Sequence, residues 1–417
     1  MEIRYDDSHP LSIESYAKAL KNKRFRDILP EDKVKELNKN HKGGLGTLLE
    51  KYFFGYEPNS EAGPDFPKAG VELKVTPYKK NKKKKFSAKE RLVLNLIDYE
   101  KIIEENFEES SFWRKNKLLL LIFYLYEDDV DRLDYLMTHI QLFQFPEKDL
   151  KIIKDDWKKI KEKVLAGKAH EISESDTNYL AACTKGANKN SLRKQPNSPL
   201  MAKQRAFSLK SSYMTYILNE YINKGVPTYV HEESAPYYYE GRIDKKEEIA
   251  DDFGEKTLEE YIIDKFKKYY GKTLNELIAM FGLEEKRKSK HITYLVASKI
   301  VNKNLTDLRK AEEFQKANIK VKAIRINKNG KINEHMSFPT FKYTEIIKED
   351  WEHSSLRNMF LDTKYLFIVY KENSNRELVL EKTMFWNMPL SDLDNEVRIV
   401  WEETVKRIKE GRAHDLP

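Results

Sequence analysis

A chain that repeats itself at a fixed interval has few folds open to it, because each copy must close a hydrophobic core of its own. Here Lys101-Ile102-Ile103-Glu104-Glu105-Asn106-Phe107-Glu108-Glu109-Ser110-Ser111 returns as Glu345-Ile346-Ile347-Lys348-Glu349-Asp350-Trp351-Glu352-His353-Ser354-Ser355. Trp157 returns as Trp401, and Gly167-Lys168-Ala169-His170-Glu171 as Gly411-Arg412-Ala413-His414-Asp415, every block 244 positions on. Three blocks at one offset make the chain a duplicated domain, which suits its 417 residues. Each half is then a control for the other. What both keep belongs to the scaffold, and on that ground His170 is assigned to structure rather than to acid–base chemistry.

The stretch that differs most informatively is Pro64-Asp65-Phe66-Pro67-Lys68-Ala69-Gly70-Val71-Glu72-Leu73-Lys74. Its second part reads as a strand, with Val71, Leu73 and Val75 on one face and Glu72, Lys74 and Thr76 on the other. If the Pro-flanked turn brings Asp65 alongside, two hard oxygen ligands and an ammonium converge, as in a Mg²⁺-dependent phosphodiester-cleaving site. A solvated surface pair fits the same spacing. The second copy separates these readings. Ala69 to Lys74 falls on Ala317 to Lys322, so that Glu72 becomes Lys320; Asp65 falls on Glu313, and Glu50, on a preceding helix, falls opposite Ala297. An ammonium in place of a ligand carboxylate repels a cation. The scaffold tolerates that lysine, so folding does not require the carboxylate, and a metal is left to explain it.

The remaining sequence supplies context. A net charge of +8 suits a polyanionic partner. The single cysteine, Cys183, excludes an intrachain disulfide framework and fits a reducing cytoplasm. The longest apolar run, Leu118 to Tyr126, is far short of the roughly 20 residues of a membrane helix. Periodicity predicts helices over 13–20, 45–52, 100–107, 149–166 and 211–221, and strands over 71–76, 92–97, 118–126 and 206–210. The 118–126 strand, apolar on both faces, is expected at the centre of a sheet. Lys79 to Lys85 reads either as a solvated loop tip or as a phosphate-contacting arm. The loop Thr184 to Pro199, with Asn188 and Lys189, carries residue types that read base edges. Pro, Tyr and mixed charge over 225–255 mark a linker between residues 1–224 and 256–417.

Lys42-Gly43-Gly44-Leu45-Gly46-Thr47-Leu48-Leu49-Glu50, then Pro64-Asp65-Phe66-Pro67, then Gly70-Val71-Glu72-Leu73-Lys74 resemble the active-site signature of the MutH endonucleases. Lys185-Gly186-Ala187-Asn188 and the strand and helix from Phe207 to Leu218 match as well. The duplication is similar to that of the Sau-type restriction endonucleases, which cut both strands at GATC. The resemblance implies an α/β fold of the PD-(D/E)xK restriction-endonuclease type, present twice, with a mixed central sheet flanked by helices. It implies Mg²⁺ held by Asp65 and Glu72, with Lys74 orienting the attacking water and Glu50 acting through metal-bound water. Lys42 would meet backbone phosphate, and Lys185 stands in the base-reading loop. Ser110, Arg114, Lys117, Asn188, Lys189, Ser208 and Lys210 complete the expected DNA-contacting set. Cys183, Thr184 and Ser208 depart from MutH's own residues at positions that read the site.

The expectation is thus a type II restriction endonuclease acting on double-stranded DNA at GATC and leaving 5′-phosphate and 3′-hydroxyl ends. Its second domain would have lost the active site and kept a DNA-binding or regulatory role. The second copy stops matching at Asp415, so the chain is expected to be C-terminally truncated. One active site cuts one strand at a time, so either two chains pair on DNA or one nicks in turn. The competing readings are a MutH-like repair nickase and a DNA-binding module without cleavage.

Overall fold

The computed structural model of the chain describes residues 5–39, 44–58, 62–81, 85–186, 191–229, 247–250 and 252–416. The chain divides into two compact units, residues 1–170 with 182–244, and residues 171–181 with 245–417. Lys42, Asn188, Lys189 and most of the expected linker lie outside the described residues.

In the first unit, strands β1 (Glu72–Lys80), β2 (Phe86–Ala88), β4 (Leu118–Leu125) and β5 (Leu136–Gln144) form a sheet in the order β2-β1-β4-β5. β1 and β4 are parallel, with Glu72 opposite Leu119 and Lys74 opposite Leu121; β5 and β2 run antiparallel to their neighbours. Residues Leu118 to Phe123 are all buried, which is why β4 carries apolar side chains on both faces. On β1, Leu73 packs into the core with Leu120, Ile122 and Leu142, and Val75 packs against it. Glu72 therefore faces the other way, as the alternation requires. A second sheet places β9 (Arg205–Leu209) between β3 (Leu92–Leu96) and β6 (Leu180–Thr184), and β7 (Leu192–Gln195) pairs with β8 (Ser198–Lys203) as a hairpin.

The second unit repeats the first's central strands. β10 (Ile319–Ile326) runs parallel to β11 (Lys364–Glu372), which pairs antiparallel with β12 (Leu378–Trp386), as β1, β4 and β5 do. The helix Tyr99–Ile102 recurs at Tyr343–Ile346, and the 3-10 turn Phe107–Glu109 at Trp351–His353, at the same offset of 244. Ser110 caps the next helix by accepting from Trp113 N, and Ser354 accepts from Arg357 N. Phe107 meets Trp157 with ring centroids 5.8 Å apart; Trp351 meets Trp401 at 5.6 Å. Gly70, at φ +67°, is matched by Asn318 at +54°; asparagine tolerates this left-handed conformation better than other side chains do.

Several sequence expectations are corrected. The helix read over 100–107 starts at Tyr99 on the Asp98 cap and ends at Ile102, after which Glu104 N–H bonds back to Lys101 O as a turn. The residues read as a turn over 108–111 instead close a 3-10 turn and, at Ser111, begin a helix that runs to Asn116. β1 continues past Thr76 to Lys80, where β2 pairs with it.

Candidate active site

Two short elements bring the acids together. Before β1 the chain folds back on itself: Phe66 N–H donates to Val71 O (2.9 Å) and Val71 N–H to Phe66 O (3.3 Å). Gly70 makes the turn at a positive φ that a side chain would strain. Asp65 is thereby set against the start of the strand. Its N–H donates to Glu72 Oε2 (3.1 Å), while Leu73 N–H donates to Asp65 Oδ2 (2.9 Å). Each carboxylate fixes the backbone that carries the other. Lys74 Nζ donates to Glu72 Oε1 at 2.7 Å, and Glu72 is only 2% exposed.

Glu50 comes from a separate element. The helix Leu45–Leu49 passes into a π-helical turn over Glu50–Phe54, a wider winding that recurs at functional sites. A methyl on Gly46 would lie 3.8 Å from both Glu50 Oε1 and Val75 on β1, so this helix packs close to the strand beside the carboxylate. Burial, then the charges of Asp65 and Glu72, push the Glu50 carboxyl up to about 7. Burial also raises Glu72, against the pull of Lys74. The Tyr56 hydroxyl is buried with no hydrogen-bond partner among the described residues. Burial and the nearby Asp65 and Glu50 charges hold its phenol well above the usual range.

The sequence reading passed over Lys115. It lies on the helix Ser111–Asn116 with Nζ 3.7 Å from Glu72 Oε1 and its side chain 17% exposed. The signal was present: Lys115 follows the buried Phe112 by three positions and so shares its inward helix face. Its neighbours diverge. Lys117 is exposed and reaches over the turn, its Cε 3.7 Å from where a methyl on Gly70 would sit, while Arg114 is exposed on the outer side.

The other expected contacts divide by burial. Lys185 is exposed next to β6, its N–H held by Gln204 O at 2.8 Å. Ser110 is fully buried; its hydroxyl donates to Phe107 O at 2.6 Å and caps the helix, which gives it a scaffold role in place of the expected DNA contact. Ser208 and Lys210, at 0% and 1% exposure, also present nothing to a duplex in this conformation. His170 accepts or shares a hydrogen bond with the Gln195 carboxamide at 3.0 Å, a position within the scaffold.

In the second unit the corresponding acids are gone or withdrawn. The turn that carries Asp65 is replaced by the helix Glu312–Ala317, and Glu313 is 1% exposed with Oε2 accepting from Ile249 N at 3.0 Å. Lys320 is exposed at the place of Glu72, and Ala297 is fully buried.

Comparison with known proteins agrees with this arrangement. A family profile described as "DNA mismatch repair enzyme MutH" matches residues 54–156 and again 303–397, one match in each half. The MutH protein of Shewanella woodyi is 29% identical over 184 residues, 43% of this chain and 78% of that protein. The type II restriction enzyme Sau3AI of Staphylococcus aureus is 40% identical over 396 residues, 91% of this chain and 77% of that enzyme. With the acid–lysine lock in the first half and its altered copy in the second, the chain belongs to the MutH and Sau3AI family of endonucleases.

Proposed function

We propose that the chain is a type II restriction endonuclease that hydrolyses phosphodiester bonds of double-stranded DNA at GATC, using Mg²⁺ and leaving 5′-phosphate and 3′-hydroxyl ends. The observation that carries this reading is the reciprocal lock of Asp65 and Glu72 with Lys74 and Lys115 on the same carboxylate. The buried Glu72 and the half-buried Asp65 are costly for a fold to keep beside Glu50, since both raise the cost of ionising it.

The donor set fits a hard divalent cation: carboxylate oxygens, crowded and partly desolvated, beside an unpartnered hydroxyl on Tyr56. Mg²⁺ is commonly held by one or two carboxylates, with water and substrate phosphate completing its shell. Asp65 and Glu72 would hold it, and Glu50 would act through a water. When bound, the ion supplies charge stabilisation at the phosphate and a more acidic water. The protein's own part is positional and electrostatic. Lys74 orients the attacking water, and Lys74 and Lys115 meet negative charge as it grows on the phosphate oxygens. Arg114, Lys117 and Lys185, all exposed, would hold backbone or bases, and the second unit would bind DNA without cutting it. A restriction role would be exercised in the cytoplasm. Among the described residues no helix is long and apolar enough to cross a membrane.

The test is digestion of a GATC-containing plasmid with Mg²⁺, repeated on adenine- and cytosine-methylated substrate. Linear product is expected. Nicked circles alone would favour a MutH-like nickase, and retention without cleavage a binding module.

A further inference from the structure

The second unit's altered site is a cavity. About 480 Å³ in volume, it opens over the same face of β10 that in β1 carries the acids, and Lys320, Lys322, Arg309, Tyr294 and Phe338 line it. The change is more than loss of ligands. Glu72 has been exchanged for Lys320, whose ammonium has no hydrogen-bond or ion-pair partner among the described residues. Lys322 keeps the position of Lys74 and donates to Ser337 O at 3.2 Å. Arg309 stacks on the Tyr294 ring, 4.6 Å from its centroid, and is held in place by Asp307 through two bonds of 2.8 and 2.9 Å. Asp307 offsets the charge of Arg309, but no acid is among the described residues that line the cavity, and Glu313 is turned onto Ile249 N.

We propose that this cavity is an anion site, and that its ligand is a backbone phosphodiester of duplex DNA, bound and left intact. The assignment rests on the endonuclease reading only in its choice of DNA as the source of the phosphate. A cleft that in the first unit draws a cation to a phosphate has, in the second, its own fixed cations to meet the phosphate directly. Lysine on a strand supplies a point charge suited to a phosphate oxygen. The aromatic walls, Tyr294 and Phe338, give the sugar an apolar surface and lower the local dielectric, which strengthens the attraction. With no carboxylate pair, the bound diester has nothing to activate water against it.

The experiment uses the full chain in EDTA, so that DNA stays whole, and follows binding of a GATC duplex by fluorescence anisotropy over a range of salt. Lys320→Glu/Lys322→Glu is expected to weaken binding about tenfold and to make the slope of log K against log salt shallower by about 1, the signature of one lost phosphate contact. Lys320→Arg/Lys322→Arg should keep both values. Lys328→Glu/Lys331→Glu, which makes the same charge change on the neighbouring turn, should move them much less. Equal effects from the two charge reversals, or an unchanged slope in the cavity variant, would overturn the assignment while leaving the endonuclease reading intact. Saturable binding of inorganic phosphate that is lost in Lys320→Glu/Lys322→Glu, with DNA binding unchanged by that variant, would overturn it too, by making a free anion the ligand. Wild-type protein that neither binds nor cuts DNA would bring down both readings.

Discussion

At the residue scale the site is a problem of crowded charge. Glu72 takes Lys74 at 2.7 Å and Lys115 at 3.7 Å, yet burial still raises its carboxyl, and Glu50 is pushed up to about 7. In the metal-free protein these acids hold protons more tightly than in the unfolded chain. For Glu50 that contribution to stability is therefore complete below the ordinary glutamate value of 4.5 and is lost as pH rises through about 7, and for Glu72 it changes in the same direction. Thermal melts of metal-free protein should fall from about pH 5 to about pH 8, and Glu50→Gln should flatten that fall. Mg²⁺ should restore the melting temperature at the higher pH in the wild type; a wild-type curve indifferent to Mg²⁺ would count against Asp65 and Glu72 as its ligands. Glu72→Ala should reduce cleavage by on the order of 10³-fold or more and leave metal-independent DNA binding in place; persistent cutting would move the site elsewhere. Lys115→Ala is expected to slow cleavage by on the order of 10²-fold while changing DNA affinity far less, with partial rescue by Lys115→Arg. Equal losses in single-turnover rate and in affinity would make Lys115 a binding residue instead.

At the scale of elements, the repeat shows which local structures the sequence could disclose. Ser110 and Ser354 perform the same capping bond on the same turn, so Ser110→Ala and Ser354→Ala should each cost about 1 kcal/mol of stability by denaturant melts and leave cleavage by the folded enzyme unchanged. The turn at Asp65, the strand at Glu72 and the central β4 were legible because each follows a rule that acts within a few residues: proline punctuation, alternation, and an unbroken apolar run. β5 was not. A bulge at Thr138, where the register slips between Phe123 and Tyr124, puts Met137 and Ile140 on the same core and breaks the period of two. Residues 171–181 escaped for a different reason: they follow the first copy in sequence but fold with the second unit. There Ser173, Glu174, Ser175, Thr177 and Asn178 are buried, and Lys364 Nζ bonds Asn178 Oδ1 at 3.0 Å and Glu259 Oε1 at 2.7 Å. No local pattern announces such a contact, because its partner is supplied from far along the chain. Lys364→Ala leaves Glu259 without that ammonium and should destabilise the second unit by about 3–5 kcal/mol, read in denaturant melts.

At the scale of the whole molecule, duplication has let one fold carry two electrostatic designs. Both copies keep the parallel strand pair, the capped helix and the aromatic contact beneath it, so neither the acids of the first nor the lysines of the second are needed to hold the fold. That freedom is what allowed Glu72 and Lys320 to stand at one position with opposite charge. The divergence also runs deeper than one residue. The Asp65 turn has become a helix, Glu313 is committed to Ile249 N, and the place opposite Glu50 is filled by a buried Ala297. Restoring a single carboxylate with Lys320→Glu would create an acid with no second ligand beside it and no third across the cleft. In a Glu72→Ala background, where the first site is silent, Lys320→Glu is therefore expected to yield no cleavage of plasmid DNA with Mg²⁺. Linear or nicked product from that double variant would mean that Glu313 can leave its backbone partner and that the second copy is one substitution from activity. Its absence, with DNA binding weakened and the fold intact by circular dichroism, is the outcome that a converted anion site requires.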